Sequence, residues 1–295
     1  YKNNFRINIQ QHERYNYHSN IVRYSMKRLI VVGDSDIAYW PKALLPSLAA
    51  AHADVGVGAS AGAGKIDDDD ETDEWLPALV SGHSGALLAE VVPHLQKALE
   101  ESSLLLSQTH GGNTVRGGGT KPNARDALVI VACAGENDIG EGLSLEKSAE
   151  ALQEFVDVVY LEQSYTYTNE SRYLFFLGPK FEPWLEHDPS YKKQYNNMAI
   201  AFQRCLQEYE IPTGSSDNKK NNSDDGDDHG QILFIDCLTM FCGDTANIPG
   251  ARFGGRAKAD PRFFASDQLH LSNEGYAVWK DVVEQKIRQF LAQSS

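Results

Sequence analysis

Four short blocks of this sequence hold residue types that chemistry uses: Gly33-Asp34-Ser35-Asp36, Gly82-His83-Ser84-Gly85, Gly135-Glu136-Asn137-Asp138 and Asp267-Gln268-Leu269-His270-Leu271. Singly, each is ordinary. Glycine often follows a strand, Asn-Asp is common in turns, and Ser or Asp ahead of a helix is usually an N-cap. Taken together they hold the residue types that an acyl-transfer site requires. A serine becomes a nucleophile when an imidazole removes its proton, and the imidazole needs a carboxylate to fix its tautomer. Asp267 and His270 stand three apart just before a helical pattern, so one turn can carry both on one side. A developing oxyanion needs donors aimed at it, and a backbone N–H, a glycine N–H and an asparagine amide supply them.

The elements that must position these blocks alternate along the chain. Short apolar runs at 27–33, 78–81, 127–134, 173–177 and 232–235 read as strands, the second being the weakest. Between and after them, 85–106, 145–160, 191–209 and 273–291 carry apolar residues at helical spacing. Strands separated by single helices predict one α/β domain: a parallel five-stranded sheet covered on both faces, with functional residues on loops at the strands' carboxyl ends. The first and third blocks follow strands directly, as that rule demands.

The order and spacing of GDS, an SGA turn, GxND and DxxHL followed by GY resemble the SGNH (GDSL-type) hydrolases over roughly residues 26–293. The resemblance implies a flavodoxin-like three-layer α/β/α fold and a serine esterase. It implies Ser35 as nucleophile, His270 as general base and Asp267 as its orienter. It also implies an oxyanion hole from Ser35, Gly85 and Asn137, with Gly82 an alternative to Gly85, and no metal or organic cofactor. The first block departs from the pattern: Asp36 stands where Leu is common, and an acid there is expected to alter the mouth of the site or its pH range. The implied partner is a small-molecule ester, with short-chain acyl esters, sugar acetates and lipid esters all open.

Three rivals use the same residues differently. Gly82-His83-Ser84-Gly85-Ala86 nearly fits the nucleophile elbow of an α/β-hydrolase, which would make Ser84 the attacking group. Asp34-Ser35-Asp36 resembles the DxD opening of magnesium-dependent phosphatases, although Ala38 stands where that pattern wants Thr or Val. A non-catalytic binding module on the same fold is the third. Tyr39, Trp40 and Trp184 are candidates for a pocket wall or for core. His83, His187, Arg252, Arg256 and Arg262 read as surface residues.

Composition narrows the class further. The 295 residues carry 27 basic and 41 acidic side chains, a formal charge of −14. Ten of those fourteen excess charges lie in two blocks, Asp67–Glu74 with seven acids and Asp217–Asp228 with five acids against two lysines. They mark acidic loop insertions near 61–75 and 215–230, solvated rather than cation-binding, in a nearly neutral body. An acidic chain argues against nucleic acid as partner, and no apolar run approaches a bilayer's width. Residues 1–25 form a polar N-terminal extension without the apolar core of a signal peptide, and 26–295 the hydrolase-like domain. The Gly-rich stretch 111–119 reads as a surface insertion. Cys133, Cys205, Cys237 and Cys242 are too scattered for a disulfide framework or a zinc site. Cys133 is expected in a core strand; Cys237 and Cys242 could pair, but nothing in the sequence demands it. The sequons at Asn169 and Asn221 leave the compartment open.

Overall fold

The computed structural model describes residues 25–40, 73–110, 126–161, 170–212, 230–247 and 256–293. Residues 1–24, most of both acidic insertions, the Gly-rich stretch 111–119, Arg252 and the two sequon asparagines lie outside that set.

Strand β1 (Ser25–Gly33) is followed by one turn of helix, α1 (Ser35–Ala38). Strands β2 (Asp73–Trp75) and β3 (Leu79–Gly82) lead into helix α2 (Leu88–His110). Strand β4 (Ala127–Cys133) precedes the short α3 (Glu136–Gly140) and the long α4 (Leu145–Tyr160). Strand β5 (Ser171–Leu177), helix α5 (Pro189–Glu208), strand β6 (Gly230–Ile235) and helix α6 (Asn273–Gln293) complete the order.

The sheet is parallel throughout. β4, β5 and β6 follow β1 on one side; β2 and β3 both pair with β1 on the other. β2 lies against Ser25–Lys27 and β3 against Ile30–Gly33, so the two share one edge position. Pro77, without an N–H, falls in the gap between them. The expected five-position sheet is therefore present, with its edge strand split. β2 was not expected, because it is made of Asp73, Glu74 and Trp75 at the end of the acidic block.

Alternate residues along the central strands enter two separate cores. Ile30, Val32, Ile130, Ala132, Leu174 and Phe176 pack under α2, α4 and α5. Leu29, Val31, Val129, Val131, Phe175 and Leu177 pack against α6 and Ile37 of α1. β4 is buried at all seven positions because helices cover both faces, which is why it reads as one unbroken apolar run. The result is a three-layer α/β/α fold. Trp40 belongs to the second core, stacked on Trp279 with ring centroids 5.8 Å apart, so it is core and not pocket wall.

The chain runs from β1 to β2 and β3 on one side and then crosses through α2 to β4 on the other, and this reversal opens a crevice outside the carboxyl ends of β1 and β4. The first and third sequence blocks sit at that crevice.

Candidate active site

Ser35 is the first residue of α1, directly after β1. The turn is fixed by Asp34, whose N–H donates to the Cys133 carbonyl at 3.0 Å and whose Oδ1 accepts from Asp36 N–H at 3.2 Å. Ser35 is half-buried while its neighbours Asp34 and Asp36 are buried.

The last block forms a tight loop ahead of α6. Phe264 and Leu271 make an antiparallel bridge, and Ala265 N–H donates to the His270 carbonyl at 2.7 Å. Between them Gln268 takes a left-handed backbone, φ 61°. Inside the loop Asp267 Oδ1 accepts the N–H groups of Leu269 and His270, each at 3.0 Å, and Oδ2 takes His270 Nδ1 at 2.7 Å. The His270 bond, helped by those backbone donors, pulls the Asp267 carboxyl down to about 2. An ionised acceptor on Nδ1 assigns the proton to that nitrogen and leaves the lone pair on Nε2. His270 Nε2 is buried and has no hydrogen-bond partner. Tyr39 lies edge-on to the imidazole, centroids 4.6 Å apart.

Asn137 is the second residue of α3, directly beyond β4. Its Nδ2 donates to the Ala86 carbonyl at 3.0 Å, which commits one of its two amide protons. Ser35, Asn137 and His270 line one cavity of about 120 Å³, with Trp184, Tyr195 and Leu269 among its walls. Ser84, Gly82 and Gly85 are outside that lining. Ser84 is exposed, and the neighbouring His83 is engaged with Ser81 Oγ at 3.1 Å and stacked on His94.

The two candidate glycines differ. A Cβ on Gly82 would meet the Ala38 backbone nitrogen at 2.0 Å, so glycine there lets β3 approach α1. Gly85 is exposed in the left-handed region, φ 77°, with open space where a Cβ would go. It lies in the turn that ends before α2.

Asp34, Asp36, Glu136 and Glu182 also line that cavity, and the last three belong to a buried charge cluster around Lys180, which stands behind the lining. Lys180, beyond β5 and 1% exposed, donates from Nζ to Asp36 Oδ2 at 2.6 Å, Glu136 Oε2 at 2.8 Å and Glu182 Oε1 at 2.8 Å. Burial pushes the Glu136 carboxyl up to about 8, with Glu182 and Asp36 adding to the effect and Lys180 opposing it. Burial likewise raises Asp34 and Glu182. Burial disfavours the Lys180 cation, but Asp36, Glu136 and Glu182 outweigh it and hold the ammonium well above its ordinary range. Asp36 therefore lines the cavity while its Oδ2 is held by Lys180. The extra acid at GDSD has an interior partner.

Asp34, Asp36 and Cys133 bring donor atoms within 4.8 Å of one another, the one such group among the described residues. It is a poor cation site. Burial, with Asp34, Asp36 and Glu136 nearby, pushes the Cys133 thiol well up, and the Lys180 ammonium already occupies an Asp36 oxygen. All four cysteines are free thiols, so Cys237 and Cys242 do not pair. Arg262 is committed to Asp260 at 2.9 Å and lies over Phe263. No helix among the described residues is long and apolar enough to cross a membrane.

No protein-family model and no curated protein matches the chain. Solved structures do. The chain is similar to several solved esterase structures. One is AlinE4, an SGNH-hydrolase family esterase: 13% identity, TM-score 0.34, covering 90% of this chain and 97% of that one. Another is the psychrotrophic esterase EstA from a Pseudoalteromonas species: 15% identity, TM-score 0.40, 90% and 98% covered. A third is a carbohydrate acetylesterase family member from Sinorhizobium meliloti: 15% identity, TM-score 0.42, 90% and 100% covered.

Lys180 and Glu182 escaped the sequence reading. The signal was available: like Ser35 and Asn137, they follow a strand's carboxyl end, and Pro179-Lys180-Phe181-Glu182 puts two charges among apolar residues.

Proposed function

We propose that the chain is a serine esterase acting on carboxylic esters of short acyl groups, with 26–295 as one catalytic domain. The observation that carries this reading is the convergence of Ser35, Asn137 and His270 on one cavity, with His270 Nδ1 held by Asp267 and Nε2 unpartnered. Nε2 takes the Ser35 proton as Oγ attacks the ester carbonyl, and Asp267 stabilises the resulting imidazolium. The oxyanion is met by the Ser35 N–H and the free Asn137 amide proton, both from residues that line the cavity, with the Gly85 N–H, from a turn outside that lining, as the third donor that the family resemblance implies. His270 then returns the proton to the leaving alkoxide, and water, activated by the same nitrogen, releases the acid. No step calls for a metal or organic cofactor.

Size favours a small acyl group. A cavity of about 120 Å³ is well under the ~300–1,000 Å³ of pockets for drug-sized ligands. Acetyl and propionyl esters, free or on a sugar, suit it better than long lipid acyl chains.

The deciding experiment is hydrolysis of p-nitrophenyl acetate and longer homologues by wild type, Ser35→Ala and Ser84→Ala, alongside labelling by a fluorophosphonate. Loss of turnover and label in Ser35→Ala alone, with rates falling as the acyl chain lengthens, is the expected result. Loss in Ser84→Ala alone would move the nucleophile to the second block. A folded wild type that neither labels nor turns over any ester would leave a binding role.

A further inference from the structure

The esterase reading uses Ser35, Asn137, His270 and Asp267, and leaves the buried Lys180 cluster without a task. An ammonium has three donors. Lys180 spends all three on carboxylates from three segments: Asp36 in α1, Glu136 at the start of α3, and Glu182 beyond β5. Its backbone N–H also donates to Glu136, at Oε1 and 2.7 Å, so that carboxyl group is gripped at both oxygens.

Two of those partners are direct chain neighbours of site residues. Asp36 follows Ser35, and Glu136 precedes Asn137. All three acids line the cavity, and Glu182 is tied further into its wall, its Oε2 accepting from Trp184 Nε1 at 2.5 Å and from the Tyr195 hydroxyl at 3.4 Å. A buried ionic cluster is weak grounds for stability, because apolar side chains of similar volume often serve as well or better. This one even leaves Asp36 Oδ1 buried without a partner. What it does supply is a fixed span between the turn after β1 and the turn after β4.

We propose that Lys180 is a positioning residue: by holding Asp36 and Glu136 together it sets the separation between the Ser35 nucleophile and the Asn137 oxyanion donor. The proposal rests on the esterase reading and deepens it. Lys180 touches neither substrate nor reacting atom and acts through its two carboxylate partners.

The test is steady-state kinetics of full-length Lys180→Met, alone and combined with Asn137→Ala, on the short ester that wild type turns over. Misplacement by about 1 Å can cost ~10²-fold, so kcat is expected to fall ~10–10²-fold with KM within about twofold. If Lys180 acts through Asn137, adding Lys180→Met to Asn137→Ala should cost under about threefold, a coupling that a general loss of stability would not produce. Glu182→Gln keeps the side chain's shape while weakening one leg, and decides the matter if Lys180→Met does not fold. A kcat loss of about 3–10-fold, again shrinking in the Asn137→Ala background, would support the proposal. Wild-type kcat in a folded Lys180→Met, or losses that simply multiply with Asn137→Ala, would overturn it while leaving the esterase reading intact. A wild type that fails both turnover and fluorophosphonate labelling overturns both.

Discussion

Asn137 donates its side-chain amide to the Ala86 carbonyl at 3.0 Å, across fifty-one residues of sequence. The next residue repeats the link: Asp138 Oδ1 accepts the Leu88 N–H at 2.9 Å, which satisfies a donor at the start of α2 from a different loop. The turn carrying Gly85 and the turn carrying Asn137 are thus fastened to each other. One amide proton of Asn137 holds the fold, and the other is free for the cavity.

That division of labour sets an expectation for Asn137→Ala. Losing an oxyanion donor lowers kcat ~10²–10³-fold, with KM nearly unchanged because the ground-state carbonyl makes little use of it. Losing the Ala86 bond lowers stability by about 1 kcal/mol. Kinetics and denaturant unfolding on the same preparation separate the two effects. Turnover within twofold of wild type would remove Asn137 from the site.

Asp267 is expected to matter for chemistry more than for folding. In Asp267→Asn the side-chain amide can present its N–H to Nδ1, which favours the wrong tautomer. Where such a carboxylate is buried the cost is ~10⁴ in kcat. Here its side chain is 49% exposed, so water can partly replace it, and a loss of ~10–10³-fold is expected. The stability contribution has a definite sign. Because His270 and two backbone donors hold the folded carboxyl near 2 against ~3.9 unfolded, it is fully present above about pH 5 and lost as pH falls through ~4 to ~2. A gap in unfolding midpoint between wild type and Asp267→Asn at pH 6 that narrows steadily as pH falls through ~4 to ~2 would show it.

Glu136 gives the opposite sign. Burial, then Glu182 and Asp36 against the opposing Lys180, holds its folded value at about 8. Between ~4.3 and 8 the native state keeps a proton that the unfolded chain has released. Stability therefore falls as pH rises from about 5 to 8. Asp34 and Glu182, also raised, push the same way. Glu136→Gln mimics the protonated acid, so its Tm should decline less steeply over that range than the wild type's. Parallel Tm profiles would show that Glu136 does not titrate there.

The sheet and its helices were readable because parallel strands covered on both faces leave apolar runs, and β4 is the clearest. Helix α2 begins at Leu88 and not Gly85, since the left-handed glycine turn comes first and the residue that satisfies Leu88 N–H lies fifty positions away. Helix α5 starts two residues earlier than its apolar stripe because Asp188 caps it, accepting from Ser190 N–H. Ser35, Asn137, Asp267 and His270 were legible as residue types in a spaced order. Lys180 was not, since its meaning depends on carboxylates from three loops meeting at one point. The ammonium that holds Asp36 was hidden for the same reason: a sequence shows that an acid is present, not what it pairs with.

The second block leaves two glycines to be told apart, and the structure gives them different jobs. At Gly82 a Cβ would sit 2.0 Å from the Ala38 backbone nitrogen and 2.3 Å from the Ile37 carbonyl carbon, neither of which can step aside. Gly82→Ala must therefore push α1 away from β3 and carry Ser35 with it. Overpacking of this kind costs ~1–3 kcal/mol, and a displaced nucleophile is expected to lose ~10²-fold in turnover. Gly85→Ala meets no neighbour, and pays only the left-handed backbone cost of ~1–2 kcal/mol. If the Gly85 N–H serves the oxyanion, the added methyl leaves the donor in place and turnover should stay within about fivefold of wild type. Measured side by side, similar Tm losses with a wide gap in kcat would assign Gly82 to holding the nucleophile's helix. Equal kcat losses would mean that the 85 turn, too, must keep its glycine for the chemistry.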